Sequence, residues 1–86
     1  MRDVIFNGSS FADFTEWSSA NKAIFKRIVE LIREIRRTPY EGKGNPEPLK
    51  HELAGKWSRK IDMEHRLVYE ITENTVEIIS CKYHYN

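Results

Sequence analysis

The stretch "NKAIFKRIVELIREIRR" constrains this chain more than any other part of it. Ile24, Phe25, Ile28, Leu31, Ile32 and Ile35 recur at the three-, four- and seven-residue spacings of one helix face, while Lys26, Arg27, Glu30, Arg33, Glu34 and Arg37 fill the other. Pro39 stops the run, and Arg36 and Arg37 suit the negative end of the helix dipole just before it. A helix with one apolar stripe must bury that stripe against another layer, and 86 residues supply one modest core. The chain is therefore expected to be a single domain over residues 1–86.

The remaining segments say what that layer is. "DVIFN" alternates and reads as a short opening strand, stopped by Asn7-Gly8. In "SSFADFTEWSS", Ser10 followed by Asp13 resembles a capping box, and Phe11, Phe14 and Trp17 form a helical stripe expected to be core. "TPYEGKGNPEPLKHELAGK" then gathers all three prolines and reads as a functional loop. "WSRKI", "HRLVYEI" and "VEIISCKYHY" follow as strand-like runs separated by the turn candidates "DME" and "TENT". Links this short join antiparallel neighbours. The expected fold class is α+β, with two N-terminal helices packed on one face of an antiparallel, meander β-sheet. Leu67, Tyr69 and Ile71 share one face of their strand and Arg66, Val68 and Glu70 the other; in "WSRKI", Trp57, Arg59 and Ile61 alternate with Ser58 and Lys60. One face is thus packed, and the other is expected to carry cationic side chains with nothing left in the sequence to cover it.

Composition and missing motifs exclude several functions. The net charge of +1 announces no nucleic-acid binding, although basic residues outnumber acidic ones between Arg33 and Arg66. No apolar run reaches signal-peptide or membrane-span length. Cys81 lacks a disulfide partner and lies in the apolar run "VEIISC", so it reads as a core thiol in a reducing, cytoplasmic setting. The three histidines and one cysteine show no zinc spacing, and "EGKGNPEP" lacks the Walker pattern. No metal or cofactor is expected.

Four kinds of side chain are candidates for the uncovered face: Glu47 in the stiff "NPEPLKH" segment, Lys50 and His51 behind it, Arg59 and Arg66 on two strands, and His84 with Tyr85 at the chain end. Cleavage of RNA without a metal needs a base for the 2'-hydroxyl proton, cations for the charge growing on phosphate, and an acid for the leaving 5'-oxygen. Glu47, Arg66 with Arg59 and Lys50, and His84 fit these jobs by type. Each also has a plainer reading: Glu47 as an exposed loop carboxylate, the arginines as solvated surface, and His51 and His65 as structural or surface residues.

The run "RRTPYEGKGNPEPLKHELAGKWSRKI", continuing through "EHRLVYEI" and ending "CKYHY", closely resembles the YoeB (Txe) branch of the RelE superfamily, ribosome-dependent messenger-RNA interferase toxins of bacterial toxin-antitoxin pairs. The resemblance implies an endoribonuclease that cleaves messenger RNA in the ribosomal A site without a cofactor, leaving a 2',3'-cyclic phosphate and a 5'-hydroxyl. It further implies Glu47 as general base, Arg66 as phosphate stabiliser, His84 as general acid and Tyr85 as a stacking or orienting residue. Lys50 and the Arg59-Lys60 pair of "WSRK" fall on positions expected to hold RNA backbone. The partners implied are a YefM-type antitoxin, the 70S ribosome and a second copy of the chain in a homodimer, with no membrane. Asn86 departs from the family by following the usual terminal Tyr. Two other readings stay open: a non-catalytic ParE-like toxin acting on a protein target, and a plain RNA- or ribosome-binding protein.

Overall fold

The computed structural model of the chain describes residues 1–83. Strand β1 (Asp3–Phe6) leads into helix α1 (Ser10–Ala20) and helix α2 (Lys22–Ile35). Strands β2 (Glu47–Pro48), β3 (Trp57–Lys60), β4 (Arg66–Ile71) and β5 (Thr75–Ser80) follow, with one 3₁₀ turn at His51–Leu53. The five strands form one sheet in the order β1-β5-β4-β3-β2.

Both helices form where the periodicity places them. Asn21 separates them, its side chain accepting the N–H groups of Ala23 and Ile24 at 3.1 Å and so capping α2. Ile28, Leu31, Ile32 and Ile35 of α2 are buried with Leu67, Tyr69, Val76 and Ile78 of the sheet. At about 25 cal/mol for each Å² of apolar surface removed from water, this interlock of one stripe and one sheet face is the main source of stability.

The α+β class and the meander from β3 to β5 agree with the sequence pattern; the structure adds the two-residue strand β2, inside the segment read as a loop, and a parallel pair. β1 runs alongside β5 in parallel register, Val4 opposite Val76 and Phe6 opposite Ile78, so the sheet is mixed. Two helices intervene between these strands, which is the crossover that a parallel pair requires. The start of α1 also differs. Ser9 is the N-cap and makes no side-chain cap bond; Ser10 is buried inside the first turn, donating its hydroxyl to the Ile78 carbonyl at 3.0 Å. The aromatic stripe of α1 is core at Trp17 but 57% exposed at Phe11, which leans edge-on against Phe6.

The end of β5 departs furthest from expectation. The ladder slips between Val68, which pairs with Ser80, and Tyr69, which pairs with Ile78, leaving a bulge at Ile79. Regular strand ends at Ser80, and Tyr83 adopts a left-handed φ of 61°. Cys81, Lys82 and Tyr83 therefore bend away from the regular strand. Trp17 secures the start of this bend, donating from Nε1 to the Cys81 carbonyl at 2.9 Å.

Candidate functional site

Strand pairing decides which side chains share a face, because residues opposite one another in a ladder project to the same side. Glu47 stands opposite Ser58, and Ser58 opposite Val68. Two residues further along, Lys60 stands opposite Arg66. Glu47, Lys60 and Arg66 therefore project from the sheet face away from the helices. From strand spacing and rise, the backbones of Glu47 and Arg66 lie about 12 Å apart, room for a sugar and its phosphate between their side chains. Among the described residues, Lys50, Lys60 and Arg66 have no ion-pair partner. Glu47 is exposed at the edge of the sheet, Pro46 and Pro48 restricting the backbone on either side.

This face is less bare than the sequence suggests. Ser58 and Val68 are buried, at 1% and 2% exposure, although both face away from the helices. Leu49, also buried, continues the β2 pairing as its N–H donates to the Lys56 carbonyl at 2.9 Å. These residues make a small second patch outside the main core, beneath the cations. Beside it Lys56 pairs with Glu70 at 3.7 Å.

The Arg66 guanidinium folds back over the β3–β4 turn. Its Nη1 donates to the carbonyls of Asp62 at 2.7 Å and His65 at 3.1 Å. The turn is fixed in its own right, since Asp62 Oδ1 accepts the N–H groups of Glu64 and His65. The Arg66 backbone N–H donates to the Tyr83 carbonyl at 3.1 Å, so the chain leaves the described region directly beside this arginine. His84 and Tyr85, to which the sequence assigns acid and stacking roles, lie outside the described residues. His51, with a left-handed φ of 59°, is exposed just beyond Lys50.

Arg59 is not on this face, and its expected role as an RNA contact is overturned. It stands opposite Leu67 in the ladder and points toward the helices, 0% exposed. All five of its N–H groups have acceptors within the fold. Nε donates to the Tyr69 hydroxyl at 3.2 Å; Nη1 to Glu34 Oε1 at 2.7 Å and the Lys43 carbonyl at 3.2 Å; Nη2 to the carbonyls of Thr38 at 2.7 Å and Glu41 at 2.8 Å. A guanidinium so enclosed has no donor left for a phosphate. It ties the loop following α2 onto the sheet, and that loop leads into Glu47. Hydrogen bonding from the Lys43 N–H, followed by the Arg59 guanidinium, holds the Glu34 carboxyl below its usual range. Burial pushes the Tyr69 hydroxyl up, and it donates to the Pro39 carbonyl at 2.7 Å.

His65, expected to be structural or on the surface, is buried on the helix side of β4. Its Nδ1 accepts the Tyr83 N–H at 2.7 Å. The signal for this was its phase with Leu67 and Tyr69. Cys81 is a core thiol as expected, pushed up to about 12 chiefly by burial.

Comparison with known proteins supplies the wider setting. Residues 6–85 match the family described as YoeB-like toxin of bacterial type II toxin-antitoxin system. The chain is 52% identical over 82 residues to Toxin YoeB of Escherichia coli strain K12, covering 95% of this chain and 98% of that one. It also superposes on the toxin fold of the YoeB-YefM complex from Staphylococcus aureus with a TM-score of 0.90, at 43% identity and 99% coverage of both chains. A YoeB dimer from Staphylococcus aureus superposes with a TM-score of 0.89, at 42% identity and 98% coverage of both. On family match, identity and fold together, the chain belongs to the YoeB-like toxins of bacterial type II toxin-antitoxin systems.

Proposed function

We propose that the chain is an endoribonuclease toxin that cleaves messenger RNA in the A-site codon of the 70S ribosome and so halts translation. The observation that carries this reading is the register that turns Glu47, Lys60 and Arg66 to one sheet face while the chain end leaves from beside Arg66. Membership of the YoeB-like family supports it. Glu47 takes the proton from the ribose 2'-hydroxyl, and the 2'-oxygen forms a bond to phosphorus as the bond to the 5'-oxygen breaks. Arg66 and Lys60 hold the charge that accumulates on the phosphate, with Lys50 on the adjoining backbone. His84 gives its proton to the departing 5'-oxygen, and Tyr85 stacks on or orients the base. The products are a 2',3'-cyclic phosphate and a 5'-hydroxyl.

Low net charge makes the ribosome an active part of this scheme. Affinity for RNA backbone grows with the number of phosphates neutralised, and Lys50, Lys60 and Arg66 are few. The ribosome supplies the docking surface and a codon held in place, leaving the toxin to contribute positioning and proton transfer. A setting in the cytoplasm follows from that substrate. We assign the partner as a YefM-type antitoxin whose acidic segment orders across Lys60 and Arg66; the Staphylococcus aureus relative was solved as a YoeB-YefM complex. A homodimer is proposed on the precedent of the same relative's dimer.

The test is cleavage of a defined messenger RNA on programmed ribosomes, with cut positions mapped by primer extension. Cuts confined to the A-site codon, reduced about 10²–10⁴-fold by Glu47→Gln or His84→Gln, are expected. Intact message with protein still bound to the ribosome would refute catalysis and favour a binding role. Unchanged antitoxin affinity in Arg66→Glu would refute the proposed path of the antitoxin.

A further inference from the structure

His65 and Arg66 hold Tyr83 from both sides. The Tyr83 N–H donates to His65 Nδ1 at 2.7 Å, and its carbonyl accepts the Arg66 backbone N–H at 3.1 Å. Between these bonds Tyr83 keeps φ at 61°, a conformation that is strained for a non-glycine residue and persists only where its surroundings impose it. His65 is itself fixed. It is 6% exposed, its ring stands edge-on to Trp17 with centroids 4.9 Å apart, and its backbone N–H is bound by Asp62 Oδ1 at 2.7 Å. The ring also lies 5.6 Å from that of Tyr83. A side chain kept only for packing at this position needs no acceptor. This one presents a nitrogen to the only N–H between Lys82 and His84.

We propose that His65 is a positioning residue for the catalytic chain end: it fixes the tautomer and the turn at Tyr83 from which His84 departs. The proposal rests on His84 acting as the acid. Accepting at Nδ1 requires the ring proton on Nε2, the nitrogen that lies 3.6 Å from Glu64 Oε1. His65 touches no substrate; it sets the direction of the backbone one residue before the group that does. Two consecutive residues thus serve the reaction on opposite faces, Arg66 outward to the phosphate and His65 inward to Tyr83.

The test combines 15N NMR of the histidine rings with ribosome-programmed cleavage by variants checked for thermal unfolding. The proposal expects His65 as the Nε2–H tautomer. It expects His65→Phe, which keeps the ring but removes the acceptor, to lower kcat about 100-fold with KM little changed. The oxygen of His65→Asn reaches the Nδ1 position and that of His65→Gln the Nε2 position, so Asn should recover most of the loss and Gln little. Added to His84→Gln, His65→Phe should cost nothing further, because the two act through one group. A proton on Nδ1, full activity in His65→Phe, equal activity in the Asn and Gln variants, or an undiminished cost in the His84→Gln background would each overturn the proposal. Should His65→Phe fail to fold, the tautomer and the Asn–Gln contrast still decide it. A parent protein that leaves the message intact refutes the ribonuclease reading itself, and the proposal with it; an active parent with an indifferent His65 refutes the positioning role alone.

Discussion

Replacing Arg59 by Leu separates a structural from an RNA-contacting arginine. The substitution removes five donated hydrogen bonds at once. The carbonyls of Thr38, Glu41 and Lys43 lose a partner, and Glu34 loses its cation. Breaking a buried ion pair by deleting one member costs about 3–5 kcal/mol. Two features place the cost here near the lower bound. The Glu34 side chain is 28% exposed and keeps the Lys43 N–H at 2.6 Å, and Tyr69 still has the Pro39 carbonyl. A loss of about 3 kcal/mol is therefore expected. Domains of this size have about 5–10 kcal/mol in total, and each kcal/mol moves Tm by about 4–8 °C, so a drop on the order of 15 °C follows. Thermal unfolding followed by circular dichroism measures it, and limited proteolysis reports whether the segment from Thr38 to Lys43 opens first. Arg59→Lys should fall in between, its ammonium keeping the charge with three donors in place of five. An exposed phosphate contact would cost within about 0.5 kcal/mol when removed. A Tm within 2–3 °C of the parent, on the order of that surface effect, would refute the argument from burial and return Arg59 to the RNA-binding surface.

Three further outcomes follow from the same interior. Because Glu34 is held below 4.5 in the folded chain, its contribution to stability is complete above that value and drains away as pH falls below it; Glu34→Gln should flatten this acid limb in urea titrations. The Cys81 thiol, buried and pushed up to about 12, should resist alkylation near neutral pH and react freely once urea unfolds the chain; rapid labelling of the folded protein would contradict its place in the core. A Cβ at Gly42, where φ is 120°, would collide with Glu34 Oε1, whereas at Gly8, φ 58°, it meets open space. Gly8→Ala should then cost about 1–2 kcal/mol of backbone strain alone, and Gly42→Ala measurably more by displacing the carboxylate from Arg59, as denaturant midpoints would show.

The sequence was legible where one periodicity ruled. The α2 stripe and the strand alternation of Arg66–Ile71 carry enough apolar residues in phase to specify both the element and the face it buries, and Glu47 was marked by its flanking prolines. For Arg59 residue type and phase point in opposite directions, type to the RNA-facing surface and phase to the core. Its alternation with Ser58 and Lys60, in step with Trp57 and Ile61, already pointed it inward; what the alternation lacks is Glu34, a partner 25 positions away that makes a buried guanidinium tolerable. The same holds for Ser10. Its spacing from Asp13 mimics a cap, while its hydroxyl is claimed by Ile78, 68 residues later. The β1–β5 pairing was illegible for a related reason, since no turn joins those strands and only the closed fold brings them together.

Alternation also explains how so small a core can carry a polar site. On β3, buried Arg59 is followed by outward Lys60; at the start of β4, buried His65 just before the strand is followed by outward Arg66. Each outward cation is thus bonded through the backbone to an inward residue already fixed by side-chain hydrogen bonds, and Arg66 adds a hold of its own through the Asp62 and His65 carbonyls. Neither outward side chain is buried, so its loss removes less from the fold than the loss of its inward neighbour. Positioning and chemistry fall on consecutive residues because the pleat turns them to opposite sides. In a chain of this length, with a single helix-side core to draw on, that arrangement lets the cationic face hold its charges close together while the stabilising contacts that offset their repulsion lie on the far side of the same strands.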